Sequence, residues 1–399
     1  MSVRCKPMSN RSDRREQLAA TWLLAAHRGA RIASAYRICR SFSFVAKVAM
    51  LLSLLIRLSY GAPPKYIGGE RLADLPNSIG VAAPFVGVAG DALIVAGGTN
   101  FPDAPPWKNG TKTWHDAAYV LPSPDAKWLP GFKLPQRMAY GISLTTREGV
   151  LCIGGCDDKA NLGDVFVLRW DGERLTQREM PSLPHPTSCA AGALVGSRVY
   201  VAGGQAGPDP TAGPSYSYFW MLDLDAETPS WRALPTWPGP ERFYAIGGSD
   251  GKSFFLFSGI CLTEDKQGQP KLEYLKDAYR FDPVTEKWER LADLPHANAA
   301  VASPAPYVGG GLLLLGQGAD GSGTDLPLDQ RLPFGREALR YDVSTGRFDT
   351  TGTLPFGLAA VASTQWHGSI IIASGESGPG VRSPEVWSIS PESLTAGPR

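Results

Sequence analysis

The sequence has almost no net charge: 39 Lys and Arg stand against 38 Asp and Glu, a formal balance of +1 over 399 residues. Such a balance excludes an acidic disordered chain and gives no case for nucleic-acid binding. Charged residues are only 19% of the chain, against roughly 25% in ordinary domains. Histidine is scarce. His115, His185, His296 and His367 fall far apart, without cysteine or carboxylate partners at ligand spacing, so no metal is expected. No glycine-rich phosphate loop and no serine nucleophile elbow is evident. Long apolar runs are also missing. The run Val48–Ile56 has nine residues, too few for a bilayer core that needs about 20. No membrane insertion is expected of the rest of the chain.

Glycine and proline are abundant instead, at 45 and 34 residues, which suits many short strands joined by turns. The charge is also uneven: residues 1–62 hold 11 Lys and Arg but 2 Asp and Glu. A basic stretch, a short apolar run and the small residues Ser59, Gly61 and Ala62 before Pro63 read as a secretory signal. The expectation is a leader over 1–62 that exports a body over 63–399, to the periplasm in a bacterium, with an uncleaved anchor as the alternative. Cys152, Cys156, Cys189 and Cys261 of that body read as buried free thiols, with one disulfide as the alternative in an exported protein.

The body repeats itself. Glu70–Pro76, ERLADLP, recurs identically as Glu289–Pro295, and Leu-Pro pairs begin at Leu75, Leu134, Leu183, Leu234, Leu294 and Leu354. The intervals of 59, 49, 51, 60 and 60 residues are close to the period of about 50 in kelch-type propeller blades. Each interval holds a small-residue strand, then an apolar strand ending in a glycine pair or a degenerate form of it, as in DALIVAGG (91–98) and SIIIASG (369–375). A third strand carries an aromatic and often Asp, and a fourth often contains Trp, as at Trp128, Trp231 and Trp288. The pattern predicts an all-β, six-bladed kelch-type β-propeller. The last repeat lacks its fourth strand, and Glu70–Pro76 copies the fourth strand of another repeat. The N-terminal strand is therefore expected to complete the final blade and leave no open sheet edge.

Propellers bind ligands on the axis, so polar residues after the Leu-Pro or glycine pairs are the candidates: Arg137, His185, Arg242, His296, Glu376 and Arg382. Arginines facing a carboxylate in one cavity suit a small anionic ligand, although an arginine here also serves to brace loops. Glu376 stands where other repeats have the neutral Thr99, Cys156, Gln205 and Ile260. The insert Gly97–Val120 brings Trp107 and Trp114 for stacking on a sugar and Lys112 for charge; pinning the insert to the body is the alternative role for these aromatics.

The stretches GGTNFPDAPPWKNGTKTWHDAAYVL (97–121), LPQRMAYGISL (134–144) and ASGESGPGVRSPEV (373–386) resemble the kelch-propeller family that contains N-acetylneuraminate epimerase, a sialic acid mutarotase. The resemblance spans residues 66–390 with the blades in rotated order, as in a cyclically permuted branch of the family. It implies a sugar-acid isomerase that uses general acid/base chemistry and no cofactor, acting on a small anionic sugar. It further implies Glu376 as the proton acceptor, Arg382 as a substrate-binding or acid-assisting group, and Arg137 and Arg242 as weaker substrate contacts. Lys112 and Trp114 are the insert's candidates for the same role. A kelch propeller that binds a carbohydrate or protein without catalysis is the alternative.

Overall fold

The computed structural model describes residues 65–207 and 213–395; the expected leader lies outside them. Six four-stranded antiparallel sheets follow one another along the chain. Blade 1 runs Phe85–Ala89, Ala92–Ala96, Ala117–Leu121 and Leu129–Lys133, and blade 2 runs Ile142–Thr146, Gly149–Ile153, Val165–Trp170 and Leu175–Glu179. Blade 3 comprises Ala191–Val195, Arg198–Ala202, Phe219–Asp223 and Trp231–Ala233. Blade 4 comprises Ile246–Ser249, Phe254–Phe257, Ala278–Asp282 and Lys287–Arg290. Blade 5 is built from Tyr307–Val308, Gly311–Gln317, Gly335–Asp342 and Arg347–Thr353. Blade 6 takes Ser363–Trp366, Ser369–Ala373 and Val386–Ile389 from the C-terminal end, and its fourth strand is Glu70–Arg71, paired Glu70 to Ser388 and Arg71 to Trp387. The protein is a six-bladed β-propeller whose ring is closed by its N-terminal strand, as the copied ERLADLP segment predicts.

The apolar runs have a geometric cause. Successive strand residues face opposite sides of a sheet, and in this ring both sides are covered by a neighbouring blade. In Ala92–Ala96, Ile94 packs toward blade 2, whereas Leu93 and Val95 pack toward blade 6. One apolar cluster fills each of the six blade–blade interfaces. The Leu of every repeated Leu-Pro pair is buried at one of these seams. Tryptophans in or just before the fourth strands lock the same segments: Trp128 Nε1 donates to Ala73 O, Trp231 Nε1 to Pro181 O and Trp288 Nε1 to Pro235 O, each at 2.8 Å. Each indole thus reaches back to the Leu-Pro region of the preceding blade.

The glycine pairs end the second strands with two consecutive left-handed residues, Gly97 and Gly98 at φ +70° and +94° for example, a conformation that glycine adopts without steric cost. Blades 4 and 6 put Ser258 and Ser374 in the first of these positions, at φ +54° and +61°. Their hydroxyls compensate through local hydrogen bonds, Ser258 Oγ to Leu275 O and Ser374 Oγ to Ser383 O, both 2.8 Å.

A second set of left-handed residues closes the axis. Ala83, Tyr140, Cys189, Tyr244, Ala300 and Ala360, one per blade, have φ between +49° and +62°. Each N–H donates to the carbonyl of the equivalent residue one blade back: Tyr140 to Ala83, Cys189 to Tyr140, Tyr244 to Cys189, Ala300 to Tyr244, Ala360 to Ala300 and Ala83 to Ala360, at 2.6–3.1 Å. This closed circle of six hydrogen bonds forms a floor across the propeller axis. On its inner-strand side lies a recess of about 60 Å³.

Candidate active site

The residue that follows each glycine pair forms an antiparallel bridge with the residue just before the floor: Ala82 with Thr99, Ala139 with Cys156, Ser188 with Gln205, Phe243 with Ile260, Ala299 with Ala319 and Ala359 with Glu376. Six equivalent positions therefore surround the axis above the floor. Five hold neutral residues and the sixth holds Glu376, so the substitution visible in the repeat pattern is a single carboxylate at the mouth.

The connections between second and third strands wall this mouth unequally. The blade 1 insert reaches the axis. Trp114 packs with Ala139, Tyr140, Cys156 and Cys189 in an axial apolar cluster, and Lys112 Nζ lies 4.8 Å from the Trp114 ring centre and 4.4 Å from that of Tyr140. Burial pushes the Cys156 thiol up to about 11 and the Cys189 thiol to about 12, so both are neutral at pH 7. Over blades 4–6 a cavity of about 770 Å³ opens, a size that suits a small organic ligand. Its floor is Tyr244, Ala300 and Ala360. Its walls are Leu272 and Tyr274 from the blade 4 hairpin (Ile260–Glu264 with Pro270–Tyr274), residues 320–334 of blade 5, and Glu376, Pro379 and Gly380 of blade 6.

Glu376 and Arg382 sit opposite each other on the short hairpin Glu376–Gly378/Val381–Arg382. Arg382 Nη1 donates to Glu376 Oε1 at 2.6 Å, and the Gly380 N–H donates to the same oxygen at 2.7 Å. Arg382 is itself held by its Nε bond to Thr99 O at 3.2 Å and by stacking on Phe101, 5.1 Å away. Its side chain is only 5% exposed, while that of Glu376 is 20% exposed. Among the described residues nothing donates to Glu376 Oε2, so this carboxylate combines one fixed oxygen with one free oxygen in a ligand-sized cavity. Gly380 has φ +80°, and a Cβ there would lie 2.6 Å from Pro106 Cγ. The turn that delivers its N–H to Glu376 therefore requires glycine and rests on the blade 1 insert.

The structure corrects one expected substrate contact, Arg242, and leaves the other three, Arg137, Lys112 and Trp114, outside the lining of the open cavity. Arg242 is fully buried and makes a two-pronged ion pair with Asp277, Nη1 to Oδ1 and Nη2 to Oδ2 both at 2.8 Å, with further bonds to Ser258 O and Pro240 O. It braces blade 4 and has no face for a ligand. Arg137 is exposed beside His115, outside the cavity lining. Lys112 reaches the axis as expected, but the rings of Trp114 and Tyr140 take up its charge, and Trp114 itself is part of the packing there. Neither lines the open cavity. Trp107 stands behind the Glu376 hairpin, lining a second cleft of about 520 Å³. The cavity's own Tyr274 and Arg331 escape the repeat-based reading because they sit in the variable connections of blades 4 and 5. The length of the blade 5 connection was the available signal.

The family model for N-acetylneuraminate epimerase matches residues 72–177 and 180–316, more than half of the sequence. The chain belongs to the N-acetylneuraminate epimerase family. Among its relatives, N-acetylneuraminate epimerase of Haemophilus influenzae (strain PittEE) is 28% identical over 228 residues, covering 51% of this chain and 57% of that protein. N-acetylneuraminate epimerase of Yersinia enterocolitica serotype O:8 / biotype 1B is 27% identical over 231 residues, 52% of this chain and 56% of that protein. The chain thus spans little more than half the length of the curated relatives it matches. The solved structure of YjhT superposes with a TM-score of 0.59 at 17% identity, over 80% of this chain and 97% of that one, a likeness of fold. The family match ends at residue 316, ahead of Glu376 and Arg382, so the roles of these two rest on their geometry and on the resemblance of their own loop.

Proposed function

We propose that the protein is a mutarotase that accelerates interconversion of the α and β anomers of N-acetylneuraminate or a related sugar acid. The observation that carries this reading is the half-tethered carboxylate of Glu376 in the axial cavity, in a chain of the N-acetylneuraminate epimerase family. Arg382 and the Gly380 N–H hold Oε1. Oε2 is left to accept the proton of the anomeric hydroxyl. As that O–H bond breaks, the hydroxyl oxygen becomes the carbonyl oxygen, the bond from the anomeric carbon to the ring oxygen breaks, and the ring oxygen takes a proton. Tyr274, whose phenol burial keeps protonated, and water at the cavity mouth are the donors on offer. Rotation in the open-chain ketone followed by the reverse steps yields the other anomer and returns both protons. General acid/base catalysis of this kind supplies about 10²–10⁴ in rate, enough for a reaction that already proceeds slowly in water.

The test is proton NMR of freshly dissolved α-N-acetylneuraminate with the purified protein. Acceleration over buffer that Glu376→Gln abolishes supports the reading; no acceleration with the unaltered protein refutes it and leaves a binding role. The basic segment over residues 1–62 supports export to the periplasm as part of the same proposal. N-terminal sequencing of the protein recovered from the periplasmic fraction tests it, and an intact N-terminus on membrane-bound protein would overturn cleavage.

A further inference from the structure

We propose that Arg331 is the carboxylate anchor of the site, the residue that makes the cavity selective for sugar acids over neutral sugars. The inference rests on the mutarotase reading and deepens it.

Among the described residues, Arg331 is the only basic one lining the 770 Å³ cavity, and Glu376 stands in the same lining. The other arginines and the lysine that the sequence offers for an anion are engaged or elsewhere. Arg242 is saturated by Asp277, the charge of Arg382 is paired with Glu376, Lys112 faces two aromatic rings, and Arg137 is outside the cavity lining. Arg331, by contrast, has no carboxylate within ion-pair distance among the described residues, yet it is not a loose surface side chain. Its Nε donates to Leu326 O at 3.0 Å and its Nη2 to Thr324 O at 2.8 Å. These two carbonyls of its own loop orient the guanidinium while neutralising none of its charge. Nη1 makes no hydrogen bond to any described residue. The remaining N–H groups form the fork that pairs with a carboxylate through two parallel bonds.

The loop that carries Arg331 is tied to the hairpin that carries Glu376. The Phe334 N–H donates to Ser377 O at 3.1 Å, and Gly378 lies against Pro333. The anchor and the base are thus two parts of one supported wall. Charge balance points the same way. Arg382 already compensates Glu376, so an incoming anion would meet uncompensated Asp320 in this cavity if Arg331 were absent. In a sugar acid of the proposed class the carboxylate and the reacting hydroxyl share the anomeric carbon. Fixing the carboxylate therefore brings that hydroxyl to the wall shared with Glu376 and lets the open chain turn while the acid group stays in place.

The experiment compares the full-length protein with Arg331→Met and Arg331→Lys on two substrates, N-acetylneuraminate and its methyl ester. The ester keeps the anomeric centre and removes the negative charge. For the acid, Arg331→Met is expected to raise KM about ten- to a hundredfold, the weight of a charge-assisted bidentate contact, with kcat changed less than about threefold. The ester should be processed equally by both proteins, and Arg331→Lys should recover part of the loss. An equal loss on acid and ester, or no loss on either, overturns the proposal. Thermal melting verifies that the variants are folded. Equilibrium binding by calorimetry separates this proposal from the mutarotase reading. If the unaltered protein binds the acid without accelerating its anomerisation, the catalytic reading falls. Weaker binding of the acid to Arg331→Met then upholds the anchor, and unchanged binding overturns it. Failure of the unaltered protein to bind any sugar acid overturns both.

Discussion

Two arginine–carboxylate pairs in this propeller look alike on paper and do opposite things. Arg242 and Asp277 in blade 4 are 0% and 10% exposed, and both prongs are bonded at 2.8 Å. The Tyr279 hydroxyl caps the same Asp277 Oδ2 at 2.7 Å, and Trp237 and Tyr279 cover the guanidinium. Arg382 and Glu376 in blade 6 share a single short contact, and Glu376 lines a cavity with its second carboxylate oxygen unbonded among the described residues. A pair whose hydrogen-bonding capacity is exhausted is a structural brace. A pair with one oxygen left over retains a site for a proton.

The largest effect that would break this comparison is on stability. Arg242→Met leaves the Asp277 carboxylate buried without its partner and should cost about 3–5 kcal/mol in urea unfolding, whereas Arg382→Met should cost clearly less because Glu376 can reach the solvent of the cavity. Equal losses would mean that the two pairs are alike. Next, Glu376→Gln should lower the anomerisation rate about 10²–10⁴-fold while leaving the melting temperature within a degree or two. A matching drop in melting temperature would place Glu376 in the structural class. A pH series sharpens the same contrast. Burial alone would raise the Asp277 pKa, but the Arg242 bonds and charge overcome this and hold it below the ordinary value. Its folded pKa thus lies below its unfolded one, so its contribution is complete above about pH 4 and is lost as the pH falls through the folded value. Between pH 5 and 3 the unaltered protein should therefore lose urea stability more steeply than Asp277→Asn. The smallest effect belongs to the seams: Trp231→Phe removes the indole bond to Pro181 O and should cost about 1 kcal/mol with no change in anomerisation rate.

Much of the frame was legible in the sequence because each repeat signal has one local cause. The Leu of Leu-Pro is buried at a blade seam, the glycine pair ends the second strand with left-handed residues, and the copied ERLADLP segment supplies a missing fourth strand. Glu376 was legible as the charged exception at a neutral position, and the bridge register bears out that equivalence. The state of the arginines was not. Asp277 lies 35 residues beyond Arg242, just before another strand, and no spacing rule links them. The same holds for the insert. Lys112 and Trp114 do come to the axis, but there they pack against Tyr140 of the next blade.

The sequence alone determined the number of blades, the way the ring closes and the one axial position that carries a carboxylate, since each follows from a pattern that recurs within the chain. Tertiary structure decided which charges remain available. A guanidinium is a brace or a binding group according to how many acceptors surround it, and around Arg242, Arg382 and Arg331 those acceptors are delivered by folding.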